Sequence, residues 1–282
     1  MPSHLPLVLQ TLCANLEQTL KNAESLPWVR DEPTKEDLAH IIEQAKDYSP
    51  FDPLSLRAQT MQDLQDNKAK LITKRCKYAK ILAIVYPTTK IPWDLFSKIF
   101  QAFGRASANA NAKANWRIVW FANPTKRYYP SEQNQEPTSE HVNGGYAIPC
   151  RPETIVIYRE EEVARVLIHE LLHAACTDSP SDPVEIREAK TETWAELLLI
   201  AIQSAGKPRK ALTLWKAQSQ WVANQSLRLH NLHGVRTPEN YSWRYTLGRR
   251  EVFESLGCRL PTPAPQPKPM TNSLRFTHPS LD

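Results

Sequence analysis

The sequence predicts an α+β protein, mostly helical, with a small mixed sheet ahead of one apolar helix and a helical region N-terminal to both. Three observations predict it. Apolar residues recur at helical spacing over much of the chain. Short runs of β-branched and aromatic residues gather between 116 and 158. Glycine is scarce at 7 residues while proline reaches 23, which suits helices with many interrupted connections.

Residues 5–25 carry Leu7, Leu12, Leu16 and Leu20 at roughly helical spacing. Thr34-Lys35-Glu36-Asp37 reads as a capping box that opens a helix to Asp47. Residues 55–85 read as a longer helical region, and Pro92-Trp93-Asp94-Leu95 starts another helix that runs to Ala106. Lys68, Lys70, Lys74, Arg75, Lys77 and Lys80 read as a solvated helix face, with a phosphate-binding face as the alternative. Residues 1–110 are thus expected to form a helical N-terminal region: a lid, a prodomain or a module that docks a protein partner. The domain expected over 111–258 begins with strands. Arg117-Ile118-Val119-Trp120-Phe121 is the first, and Asn143-Gly144-Gly145-Tyr146-Ala147-Ile148 the second, its glycines permitting close backbone approach. Thr154-Ile155-Val156-Ile157-Tyr158 is the third. Three or four helices follow from 160 to 257, and residues 259–282, rich in proline, read as a disordered tail.

The chemistry concentrates in His169-Glu170-Leu171-Leu172-His173. Histidines at i and i+4 project from one helix face, where two imidazole nitrogens can meet one tetrahedral Zn²⁺. Glu170 is rotated off that face and is suited to take a proton from a metal-activated water. Val163, Val166, Leu167, Ile168, Leu171 and Leu172 give the helix a buried composition, and ionisable groups there need partners. Downstream, Asp182-Pro183-Val184-Glu185 reads as a helix start and Gly206 with Pro208 as its stop. Glu188, Glu192 and Glu196 fall at i, i+4 and i+8 on that helix, along one stripe.

The pentad, the 18-residue spacer and Thr191-Glu192-Thr193-Trp194-Ala195-Glu196 together resemble the gluzincin metallopeptidases, in particular the branch of aminopeptidase-N-like and thermolysin-like enzymes. That branch carries an Asn-Glu-x-Phe-Ala-like motif; here Thr191 stands for Asn and Trp194 for Phe. The resemblance, which spans roughly 144–205 with a weak extension to 257, implies a zincin-like domain and a zinc-dependent peptidase. It implies Glu192 as third metal ligand and Glu196 as a carboxylate that orients a ligating histidine; Glu188 reads as a surface acid, solvated or paired with Arg187 or Lys190, and Glu188 or Glu196 is the competing ligand to Glu192. It also implies that Gly144, Gly145 and Tyr146 belong to an edge strand pairing with extended substrate. Tyr245-Thr246-Leu247-Gly248 is similar to a Tyr-x-Lys-Gly stretch and nominates Tyr245 as oxyanion donor, with Tyr241, His230 and His233 as rivals. No Gly-x-Met-Glu-Asn-like element precedes the pentad, so an endopeptidase is expected rather than an exopeptidase.

Two other readings differ in class. One is a SprT-like DNA-associated protease, which needs a third histidine ligand soon after the pentad; only the distant His230 and His233 follow. The other is a structural or interaction protein that retains a zinc site. A net charge of +5 is milder than that of a dedicated nucleic-acid binder, so a peptide or protein substrate is favoured over nucleic acid. Five cysteines, an odd number without a Cys-x-x-Cys pair, predict a reducing compartment; Cys150 and Cys176 read as small buried apolar residues. No signal peptide and no membrane span are evident, which predicts an intracellular protein, cytoplasmic or nuclear, or one carried in a virion.

Overall fold

The structure is a computed structural model that describes residues 4–46, 48–105, 115–263 and 272–281. Among them the elements run α1 (Leu7–Asn22), β1 (Val29–Arg30), α2 (Lys35–Lys46), α3 (Leu56–Gln65), β2 (Lys70–Arg75), β3 (Ala79–Val85), α4 (Trp93–Phe103), β4 (Trp116–Phe121), α5 (Ser139–Val142), β5 (Gly145–Ala147), β6 (Ile155–Ile157), α6 (Val163–Ala174), α7 (Val184–Gln203), α8 (Pro208–His233) and α9 (Leu247–Ser255). The fold is α+β, as expected. The chain divides into two compact units interleaved in sequence: Met1–Asn22, Arg127–Val142 and Ser179–Asp282 form the first, and Ala23–Lys126 with Asn143–Asp178 the second. The expected boundary at 110/111 lies outside the described residues.

The second unit is built on one mixed sheet in the order β1-β2-β3-β4-β6-β5. β3 is its centre, antiparallel to β2 and parallel to β4, and every residue of it except Lys80 is buried, as a strand covered on both faces requires. Side chains alternate across the sheet. Leu82, Ile84, Val119, Phe121 and Val156 face α2 and α3 through Ile41, Ala45 and Leu56. Trp120 turns the other way, toward Phe96 of α4 with ring centroids 6.2 Å apart. Buried Arg159 ties the connections beside the sheet together. Its guanidinium donates to the carbonyls of Asn143 (2.7 Å), Thr125 (2.9 Å) and Lys126 (3.2 Å).

The helix expected over 55–85 is corrected: α3 ends at Gln65, and residues 70–85 form the β2–β3 hairpin. Ile72 with Thr73, and Ile81 through Val85, are rich in β-branched residues, and Cys76 N–H donates to Ala79 O at 2.8 Å to close the turn. The N-terminal region is therefore not wholly helical, and the basic run lies on strands and turns. Much of its charge is paired: Lys68 with Asp66 (3.0 Å), Lys77 with Glu24 (2.9 Å), and Lys80 with Asp37 (2.7 Å) and Asp31 (3.1 Å). Lys74 Nζ sits 4.5 Å from the Trp93 ring centroid.

The first unit is helical. α7 packs against α1, α8 and α9, and its apolar centre includes Ala189, Leu229, Trp243, Leu274 and Phe276. Its start departs from expectation by one position: Pro183, not Asp182, holds the cap, and the Asp182 carboxylate instead accepts from Lys190 at 2.6 Å. The turn after α7 passes through Gly206, where φ is +73° and an added Cβ would fall 2.5 Å from Cys13 O, so only glycine lets α1 approach. The expected disordered tail is corrected for residues 272–281. Leu274, Phe276 and Leu281 are buried, and the Arg275 carbonyl accepts from Trp221 Nε1 (3.0 Å) and Gln225 Nε2 (2.9 Å). Residues 264–271 and 282 of that tail lie outside the described residues. Among the described residues no helix is long and apolar enough to cross a membrane.

Candidate functional site

In the second unit, α6 presents His169, Glu170 and His173, all buried. The i, i+4 spacing brings His169 Nε2 and His173 Nε2 to 3.1 Å, with ring centroids 4.8 Å apart. His173 Nδ1 stands 2.8 Å from Asp178 Oδ2. In the neutral ring, Nδ1–H donates to the carboxylate and Nε2 is the acceptor that faces His169. This arrangement fits a shared metal ion. Two nitrogens each roughly 2.0–2.1 Å from a tetrahedral Zn²⁺ stand about 3.3 Å apart, close to the spacing observed. A carboxylate behind a ligating imidazole is the usual orienting partner.

Asp178 was not among the residues that sequence reasoning selected. Its signal was faint: an acid five residues beyond His173, past the end of α6. The turn that delivers it is held by Cys176 N–H donating to His173 O (3.1 Å) and by Thr177 Oγ1 donating to Leu172 O (2.9 Å). Cys150 N–H donates to the same His173 carbonyl at 3.1 Å, and Cys150 and Cys176 form a disulfide. Both cysteines are exposed, which corrects their expected role as buried, unpaired apolar residues. The α6 C-terminus and the residues after β5 are thus cross-linked.

β5 lies at the edge of the sheet, antiparallel to β6. Tyr158 N–H donates to Gly144 O at 2.8 Å, which marks 144/158 as a hydrogen-bonded pair. Alternation then makes 146/156 the next such pair, so the N–H and C=O groups of Gly145 and Ala147 turn away from β6. A Cβ at Gly145 would lie 2.7 Å from Val166 Cγ1 and 3.1 Å from Glu170 Oε1, so the strand runs against α6 beside the Glu170 carboxylate. Gly144 spends its carbonyl on Tyr158. Tyr146 turns to the opposite face, where its hydroxyl donates to Gln44 Oε1 (2.6 Å) and accepts from Arg57 Nη1 (2.6 Å).

The remaining expected residues lie in the first unit. Glu192 and Glu196 are fully buried on α7. Glu196 pairs with Arg249 and accepts from Gln218 Nε2 at 2.7 Å, while Arg249 Nη1 is 3.9 Å from Glu192 Oε1. Arg249 also donates to Gln225 Oε1 (2.8 Å) and Phe276 O (3.2 Å). Glu188, one turn before Glu192, is half-buried. Tyr245 is half-buried and stacks on Phe276 with centroids 6.0 Å apart. Burial pushes its hydroxyl well above the ordinary tyrosine range, and the charge of Glu188 adds to this, so it stays protonated and able to donate. Among the rivals, buried His233 stacks on Tyr129 and bonds Gln135 O at 3.0 Å, while His230 is exposed beside Asn231. Compared with protein-family models, with curated proteins and with solved structures, the chain matches none.

Proposed function

We propose that the protein is a zinc-dependent metallopeptidase, an endopeptidase, with His169 and His173 as two of the three metal donors. The observation that carries this reading is the convergence of two buried Nε2 atoms on the α6 face, with Glu170 between them in sequence and Asp178 behind His173. A third donor comes from the acids of α7. On the resemblance that donor is Glu192, with Glu188 or Glu196 as competitors. Arg249 Nη1 stands 3.9 Å from Glu192 Oε1, so the test below includes all three acids. Bound zinc supplies a Lewis acid that makes water a nucleophile at neutral pH and polarises a carbonyl.

The chain's own residues do the rest. Glu170 takes the proton from the attacking water and delivers it to the leaving amine. Asp178 keeps His173 in the tautomer whose Nε2 is free to ligate. The outward N–H and C=O groups of Gly145 and Ala147 hold an extended peptide as an added strand beside Glu170. Tyr245, kept protonated, donates to the developing oxyanion.

Metal content and cleavage of a peptide library, measured together, test the reading. Wild type is expected to hold one zinc and to cleave; His169→Ala and His173→Ala lose the metal. Glu170→Gln is expected to keep zinc and lose about 10²–10⁴-fold in rate. Glu192→Gln should lose zinc where Glu188→Gln and Glu196→Gln keep it; loss of zinc in one of those two instead would transfer the donor role to that acid. Wild-type protein that binds no zinc, or full activity in Glu170→Gln, overturns the proposal.

A further inference from the structure

We infer that Phe51, with Tyr146 and Ile148, sets the side-chain preference of this site by receiving one large apolar or aromatic residue of the bound peptide. The inference rests on the peptidase reading and adds a substrate class to it. β5 has two faces. Gly145 lies on the α6 side, against Val166 and Glu170, and by the two-residue period Ala147 shares that side. Tyr146 lies on the other side, that of α2 and α3, and the two-residue period, continued one residue past β5, assigns Ile148 to that side too. A peptide strand bonded to the outward groups of Gly145 and Ala147 alternates in the same way. Its residue level with Tyr146 must direct its side chain to the Tyr146 face, and its neighbours must direct theirs toward Glu170.

What waits on the Tyr146 face is apolar and fixed. The Tyr146 ring is immobilised by Gln44 and Arg57, whose guanidinium carbon lies 5.2 Å from the ring centroid. Phe51 stacks on that ring, centroids 6.3 Å apart and planes 28° from parallel. The Phe51 main chain is anchored too: its carbonyl accepts from Asn143 Nδ2 at 3.3 Å and from the Tyr158 hydroxyl, and its N–H donates to Ser49 Oγ at 3.2 Å. Yet Phe51 leaves 50% of its surface exposed and Ile148, two residues along the same face, 52%. An anchored, half-exposed ring on the strand face next to outward-facing backbone groups has the components of a strand-addition pocket: main-chain bonds hold the peptide and alternate side chains are read. Apolar area left in water on an anchored scaffold is recovered when a matching side chain covers it, at little ordering cost.

Two readouts test this. In cleavage of a peptide library by zinc-loaded protein, Leu, Ile, Phe, Tyr or Trp is expected at one fixed position near the cut bond. In fluorescence anisotropy with the Glu170→Gln protein, a labelled peptide carrying Phe at that position should bind at least tenfold more tightly than its Ser counterpart. Phe51→Ala should abolish that difference while leaving zinc content unchanged, and Phe51→Leu should keep most of it. If Phe51→Ala does not fold, Ile148→Ser is read in its place, with a partial loss expected. No positional preference, or a preference untouched by Phe51→Ala and Ile148→Ser, overturns the inference and leaves the peptidase reading standing. Selective, Phe51-dependent binding without cleavage by wild type sinks the hydrolase reading and keeps the subsite.

Discussion

Gly145 is where strand and helix of the proposed site come closest. Any side chain there meets Val166 Cγ1 at 2.7 Å and the Val156 carbonyl at 2.9 Å, and the second of these is backbone that cannot rotate away. Gly145→Ala is therefore expected to cost about 1–3 kcal/mol by overpacking. It should also lower peptide cleavage at least tenfold, because β5 must shift relative to Glu170. Urea melts and cleavage rates of the purified variant check this; an unchanged melt would show that the close approach does not constrain the strand. The pentad itself was legible because i, i+4 spacing is a property of the helix and needs no tertiary information. Asp178 was not, because its position depends on the turn after α6. Arg249 was less so: it stands 53 residues beyond Glu196, and nothing local announces a buried cation that reaches two acids of α7. The Cys150–Cys176 pair was missed for a similar reason, since an odd cysteine count carries no pairing signal.

At the scale of elements, the capping box of α2 was readable and is made. Thr34 N–H donates to Asp37 Oδ2 (3.0 Å) and Asp37 N–H to Thr34 Oγ1 (3.1 Å). Burial works against the Asp37 charge, but Lys80 and the Thr34 amide outweigh it and hold the carboxyl below its ordinary value. The stabilisation this gives is present above the ordinary carboxylate range and is lost as pH falls through the lowered value. Asp37→Asn should thus cost about 1 kcal/mol at pH 7 and progressively less toward pH 3. Urea midpoints across that range measure it, and an equal loss at both ends would disprove the charge-based account. Strands β4, β5 and β6 and helices α4, α6 and α7 were also legible, from long apolar runs and clear punctuation. The β2–β3 hairpin was not. Its interspersed lysines imitate the polar stripe of a helix, and only pairing with β4 reveals the buried face of β3. The segment 272–281 misled through composition: its prolines and polar residues suggest disorder, while three apolar side chains find a place in the helical core.

For the molecule as a whole, the disulfide closes a 26-residue span that contains β6 and α6. Restricting the unfolded chain over such a loop is worth about 3 kcal/mol. Reduction with a phosphine, or Cys150→Ser, is expected to lower the urea midpoint accordingly; identical midpoints for oxidised and reduced protein would refute the contribution. Cys258 offers no comparable reactivity, since burial pushes its thiol up to about 11. The interleaving of the two units bears on how the protein is made. α1 precedes the sheet-containing unit in the sequence, yet the helical unit it belongs to also draws Leu274 and Phe276 into its interior. That unit therefore completes only after residue 276 has been synthesised. Among the described residues, the sheet-containing unit has all its strands by residue 157 and its last helix by residue 174, so it can consolidate while translation continues.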